Sequence, residues 1–134
     1  MKTIRKINDE LAIAGQITSE QLQQIAQEEF KSVLNLRSPD EDGFLSSEQE
    51  QAQALGLSYM NIPIKLETIN DEIGTRVFRA MNELPKPILI HCSSAKRAAA
   101  LVLMYIATRQ GATLQQAFQQ AEQLGLFGVL TYQR

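Results

Sequence analysis

Apolar positions recur with period two in some stretches of the chain and with a helical period in others, and turn-forming residues separate the two kinds. "TIRKI" and "LAIAG" flank Asn8 and Asp9, which predicts an N-terminal β-hairpin. In "SEQLQQIAQEEF" Leu22, Ile25 and Ala26 fall on one face of a helix, and Thr18 or Ser19 can accept its free N–H groups. "KSVLNL" reads as a strand ending at Arg37, before the loop "SPDEDG". A helix "SSEQEQAQAL", capped by Ser46 or Ser47 and stopped by Gly56, leads to "LSYMNIPI", expected to be a second buried strand.

The second half repeats the alternation. Ile73, Val77, Phe78 and Met81 space a helix over "DEIGTRVFRAMNEL", which Pro85 stops. "PILIHC" is short and wholly apolar up to His91, as a strand covered on both faces should be. "RAAALVLMYIATRQG" is apolar on nearly every side, so this helix is expected against a sheet, ending at Gly111. Thr113 with Gln116 forms a capping-box pattern for a last helix, "LQQAFQQAEQL", while "GLFGVLTYQR" is ambiguous. Strands alternating with helices imply an α/β sandwich around a mostly parallel sheet, and the 134 residues suit a single domain, 1–134.

Charge and cysteine usage narrow the functional classes. Thirteen Lys+Arg against fifteen Asp+Glu give a formal charge of −2, without the basic excess that binding a nucleic-acid backbone requires. One cysteine cannot form an internal disulfide, "MKTIRKINDELAIAG" has no signal-peptide core, and no apolar run reaches membrane-spanning length. The expectation is a soluble cytoplasmic protein with a reduced thiol and no membrane partner. One His and one Cys do not supply a zinc set, so no metal or other cofactor is implied; oligomeric state is not legible.

The single thiol sits where a strand gives way to a helix, the place where ligands gather in parallel sheets. Residues Ser93, Ser94, Ala95, Lys96 and Arg97 can curl so that backbone N–H groups point inward, and the start of the next helix adds its positive end. Such a nest favours a thiolate at Cys92 and attracts an oxyanion such as phosphate, two of whose oxygens the Arg97 guanidinium can grip. Arg97 at a helix start opposes the dipole and needs an anionic reason to be there: a bound oxyanion or a structural salt bridge. Cys92 alone could be core filling; its context favours a nucleophile. His91 either orients the loop or is a satisfied core histidine.

His91-Cys92, the loop to Arg97 and the preceding "PILI" resemble the signature of the cysteine-based tyrosine and dual-specificity phosphatases. "VLNLRSPDED" resembles their upstream strand-and-arginine segment, and "YMNIPI" resembles the strand leading to their acid loop. Length and the "IAGQIT" opening are most similar to the small bacterial beta-lactamase-hydrolase-like phosphatase-domain family; the resemblance covers residues 3 to 124. It implies a three-layer α/β/α sandwich, and a phosphoric monoester hydrolase that works through a phosphocysteine on a phosphorylated protein or small ester.

Two departures qualify the resemblance. The signature spaces cysteine and arginine by five residues, often with a central glycine, whereas "CSSAKR" spaces them by four with Ala95 near the glycine's place. Six-residue loops of this kind resemble those of rhodaneses, so a sulfurtransferase using a Cys92 persulfide stays open, as does an inactive phosphate-binding module. Ala98 stands where phosphatases carry Ser or Thr, which implies slow release of a phosphocysteine. The general acid is the least legible residue. Asp71 is preferred, as a carboxylate on a loop that can swing inward, with Glu67 close behind and Asp40 and Glu41 third; a solvated turn is the plainer account of those last two.

Overall fold

The computed structural model describes residues 4–65 and 70–123. Five strands form one sheet in the order β1-β2-β5-β3-β4. The predicted hairpin is present: β1 (Ile4–Lys6) runs antiparallel to β2 (Leu11–Ala14), with Ile4 opposite Ala14. Its turn is longer than Asn-Asp alone, because Asn8 Oδ1 accepts from the N–H groups of both Glu10 and Leu11. The other pairings, β2 with β5 (Ile88–His91), β5 with β3 (Ser32–Asn35) and β3 with β4 (Ser58–Asn61), are all parallel.

Strand periodicity divides the core into two layers. Leu11, Ile13, Leu34, Ile88 and Ile90 point to one face, against α3 (Asp71–Glu83), α4 (Lys96–Arg109) and α5 (Leu114–Gln123). Ala12, Ala14, Val33 and Leu89 point to the other, against Leu22 and Ile25 of α1 (Ser19–Gln27) and Ala52 of α2 (Glu48–Ala54). The result is a three-layer α/β/α sandwich. Helix α4 buries Ala98, Ala100, Leu101, Val102, Met104 and Tyr105, which accounts for its all-round apolar sequence. Among the described residues no helix is long and apolar enough to cross a membrane.

Two expectations about the elements need correction. Helix α1 stops at Gln27 rather than Phe30, because Glu29 turns left-handed (φ 71°) and Phe30 N–H reaches back to Ile25 C=O at 3.1 Å, a closure usually signalled by glycine. Among the described residues strand β4 is an edge strand rather than a buried one, with Met60 exposed and a sheet neighbour on one side only. Apolar content in "LSYMNIPI" marks a strand without revealing whether a further strand covers its outer edge. The predicted capping box of Thr113 with Gln116 forms, and of the two cap candidates for α1 it is Thr18 that caps, in a box with Gln21. Residues 124–134, including the ambiguous tail, lie outside the described residues.

Candidate active site

Period two also separates the two residues that open the site. Cys92 follows Ile88 and Ile90 onto the α4 face, whereas His91 shares the opposite face with Leu89, beside α2. Both are fully buried. Between Cys92 and the first turn of α4 the chain makes a tight loop in which Ala95 is left-handed (φ 73°). That conformation is why Ala95 stands in a glycine's place, since a Cβ is disfavoured there. The first bond closing the helix is Ala99 N–H to Ala95 C=O at 2.8 Å, which leaves the N–H groups of Lys96, Arg97 and Ala98 directed out of the helix start.

The strand beside it allows the loop to sit close. A Cβ at Gly15 would lie 2.9 Å from the Ser93 carbonyl oxygen, a backbone atom with little room to yield. Gln16 N–H donates to that same oxygen at 3.2 Å, so the end of β2 braces the loop.

Arg97 reaches over the loop to a partner 56 residues away in sequence. Its NH1 and NH2 groups donate to the two carboxylate oxygens of Glu41 at 2.6 and 2.8 Å, a bidentate pair. NH1 also donates to Ile64 C=O at 3.0 Å and NH2 to Ser93 Oγ at 3.0 Å. The guanidinium is thus fixed along its outer edge by its NH1 and NH2 donors. The pair holds Arg97 above its ordinary value, with a smaller contribution from neighbouring Cys92. It pulls Glu41 down to about 2, Arg97 being the main cause, with Ser38 N–H and Arg37 adding to it.

Glu41 is therefore a permanent carboxylate at neutral pH and cannot be the proton donor that was its third-ranked role. Nor is its loop merely a solvated turn. Arg37, itself buried, donates Nε to Glu41 Oε1 at 3.2 Å and shapes the loop by donating to the carbonyls of Asp42 and Gly43. Asp40 does stay at the surface, its carboxyl held below the ordinary value chiefly by Ser38.

Beneath the loop lies a buried histidine–carboxylate contact that sequence reading missed. His91 Nε2 is 2.6 Å from Glu48 Oε2, and both side chains are buried. Tyr59 OH donates to the same oxygen at 2.9 Å and Gln16 Nε2 donates to Oε1 at 2.9 Å. These donors, led by His91, outweigh desolvation and hold Glu48 below its ordinary value, so it accepts and Nε2 carries the proton. His91 Nδ1 has no hydrogen-bond partner among the described residues. His91 is thus a buried histidine held by Glu48, and its side chain makes no hydrogen bond to residues 93–97 among the described residues. The one available signal for Glu48 was an acid in the first turn of a helix, which has an ordinary structural explanation.

Asp71 opens α3 behind the cap Asn70, is exposed, and makes no hydrogen bond or ion pair among the described residues. Glu67 lies outside the described residues. The structure thus brings together Cys92, Ser93, Ser94, Ala95, Lys96 and Arg97 as one loop, with Glu41 across it and His91 below. Among the described residues no group of three His, Cys, Asp or Glu side chains could hold a metal ion.

Residues 3–120 match the family model described as "Beta-lactamase hydrolase-like protein, phosphatase-like domain". A beta-lactamase hydrolase-like protein of Agrobacterium fabrum is 37% identical over 109 residues, covering 78% of this chain and 25% of its own length. The chain thus spans about a quarter of that relative. Among solved structures, the DUF442 protein of Shewanella putrefaciens CN-32 superposes with a TM-score of 0.75 at 22% identity, covering 87% of this chain and 76% of that one. The core catalytic domain of the PP-IP phosphatase SIW14 from S. cerevisiae gives 0.70 at 19% identity, covering 96% and 77%. At such identities these two structures share the fold.

Proposed function

The chain belongs to the phosphatase-like domain family of beta-lactamase hydrolase-like proteins, and we propose that it hydrolyses phosphate monoesters through Cys92. The observation that carries this reading is the guanidinium of Arg97, held by Glu41 and by Ser93 Oγ over the loop that Cys92 opens. Three phosphoryl oxygens would meet that guanidinium and the N–H groups opening α4, donors already in place before charge develops.

In the first step Cys92 Sγ, as thiolate, attacks phosphorus; the S–P bond forms as the P–O bond to the alcohol breaks. The leaving oxygen takes a proton from an acid, for which Asp71 is the proposed residue. Water then attacks phosphorus, giving its proton to the same carboxylate, and the S–P bond breaks to release inorganic phosphate and restore the thiolate. Ala98 offers no hydroxyl to stabilise the departing sulfur, which makes this second step the slow one. Substrates are phosphorylated proteins or small phosphate esters in the cytoplasm.

The test is turnover of p-nitrophenyl phosphate together with mass spectrometry of Cys92. Phosphocysteine trapped in the wild type, and activity abolished in a folded Cys92→Ser variant, are the expected results. Full activity in that variant overturns the covalent route. A persulfide with thiocyanate release from thiosulfate and cyanide, in place of phosphate ester turnover, would assign sulfur transfer instead.

A further inference from the structure

Gln16 carries no charge and was not a candidate from sequence, yet it touches three parts of the site. Its backbone N–H donates to Ser93 C=O at 3.2 Å. Its side-chain Nε2 donates to Glu48 Oε1 and to Ile17 C=O, both at 2.9 Å, and its Oε1 accepts from Arg37 NH1 at 2.7 Å. Both amide hydrogens and the carbonyl oxygen are therefore used. Reversing the amide would set its oxygen against a carboxylate and its NH2 against a guanidinium, so Glu48 and Arg37 lock its orientation.

Because of this lock, an unbroken chain of hydrogen bonds runs from one end of the cradle to the other. It passes from His91 to Glu48 (2.6 Å), to Gln16 (2.9 Å), to Arg37 (2.7 Å), to Glu41 (3.2 Å) and to Arg97 (2.6 Å). His91 immediately precedes the thiol and Arg97 closes the loop. A second route, from Glu48 through Tyr59 and Asn35, ends on the Arg37 backbone N–H and does not reach its guanidinium.

We propose that Gln16 is a positioning residue that couples the two ends of the oxyanion cradle, so that the setting of the His91 end and the setting of Arg97 are one structural state. The inference rests on the reading of residues 92–97 as an oxyanion site. It requires that a change at Glu48 be felt at Arg97 only while the Gln16 amide is present.

A double-mutant cycle tests this without any turnover. Affinity for inorganic phosphate is measured by calorimetry in wild type, Glu48→Gln, Gln16→Leu and the double variant, each checked for folding by circular dichroism. Glu48→Gln is expected to weaken phosphate binding about threefold or more in the wild-type background and by less than about 1.5-fold when Gln16 is leucine. Tyr59→Phe, which cuts the second route, should leave the transmission in place. Should Gln16→Leu fail to fold, Gln16→Asn keeps the amide but shortens its reach and serves in the same cycle. The proposal is overturned if Glu48→Gln weakens phosphate equally in both backgrounds, or if Gln16→Leu lowers the melting temperature and leaves phosphate affinity unchanged. A wild type that binds phosphate without hydrolysing its esters would overturn the hydrolase reading and leave this cycle intact. A wild type that binds no phosphate overturns the oxyanion-site reading and this inference with it.

Discussion

Glu41 and Glu48 stand seven residues apart, and each holds a nitrogen partner of the site at 2.6 Å. Their surroundings differ. Glu48 is 2% exposed and Glu41 is 23% exposed. Glu48 and His91 are closed in by Tyr59 and Gln16, so neither can exchange its partner for water at small cost. Glu41 instead shares Arg97 with a surface hydroxyl, Ser93 Oγ. The same chemistry therefore serves to fix geometry where it is buried and to orient a binding group where it is open.

The largest test of this contrast is thermodynamic. Glu48→Ala strands a buried imidazole N–H and should lower unfolding free energy by about 3–5 kcal/mol, read by urea denaturation. Glu41→Ala should lower it by no more than about 1 kcal/mol. Equal losses would erase the distinction.

Next comes the arginine that Glu41 orients. Arg97→Lys keeps a charge but cannot hold a carboxylate along one edge and an oxyanion along another. A fall in kcat/KM on the order of a hundredfold is expected, with stability little changed. Unaltered kinetics would mean that the pair with Glu41 is the whole purpose of the residue.

Gly15→Ala tests the bracing of the loop from β2. The added methyl meets the Ser93 carbonyl at 2.9 Å, so either the strand end or the cradle must shift. Activity should fall roughly tenfold, since small misplacements of positioning groups are amplified in rate. Retained activity would show that the close approach is incidental.

Acid titration separates the pairs by a smaller effect. Glu41 titrates at about 2 in the folded protein against an ordinary 4.5, so its contribution is present above pH 4.5 and is lost as pH falls toward 2. Glu48 is depressed as well and contributes with the same sign. Melting temperature should decline through this window, and Glu41→Gln should remove part of the slope. An identical slope in that variant would show that the carboxylate titrates normally.

The smallest expected change is a gain. Ala95→Gly relieves a left-handed Cβ and should raise stability by about 1 kcal/mol. A loss there would mean that the methyl is packed to advantage.

What the sequence determined by itself was the order and type of the elements and the place of the Cys92–Arg97 loop between a strand and a helix. Periods of two and of three to four, helix caps at Thr18 and Thr113, and the run from His91 to Arg97 are local properties, and local properties are written in consecutive residues. Tertiary structure decided the rest. Phe30 lies beyond the end of α1 because a left-handed Glu29 took the place that glycine usually signals, and β4 became an edge strand because among the described residues no further strand pairs outside it. Glu41, Glu48 and Gln16 acquired roles only when β3 came to lie beside β5 and the ends of their strands met around one loop. A carboxylate in a turn or in a helix's first turn has an ordinary structural explanation in sequence. Only the partner that folding brings to within 2.6 Å makes it part of a site.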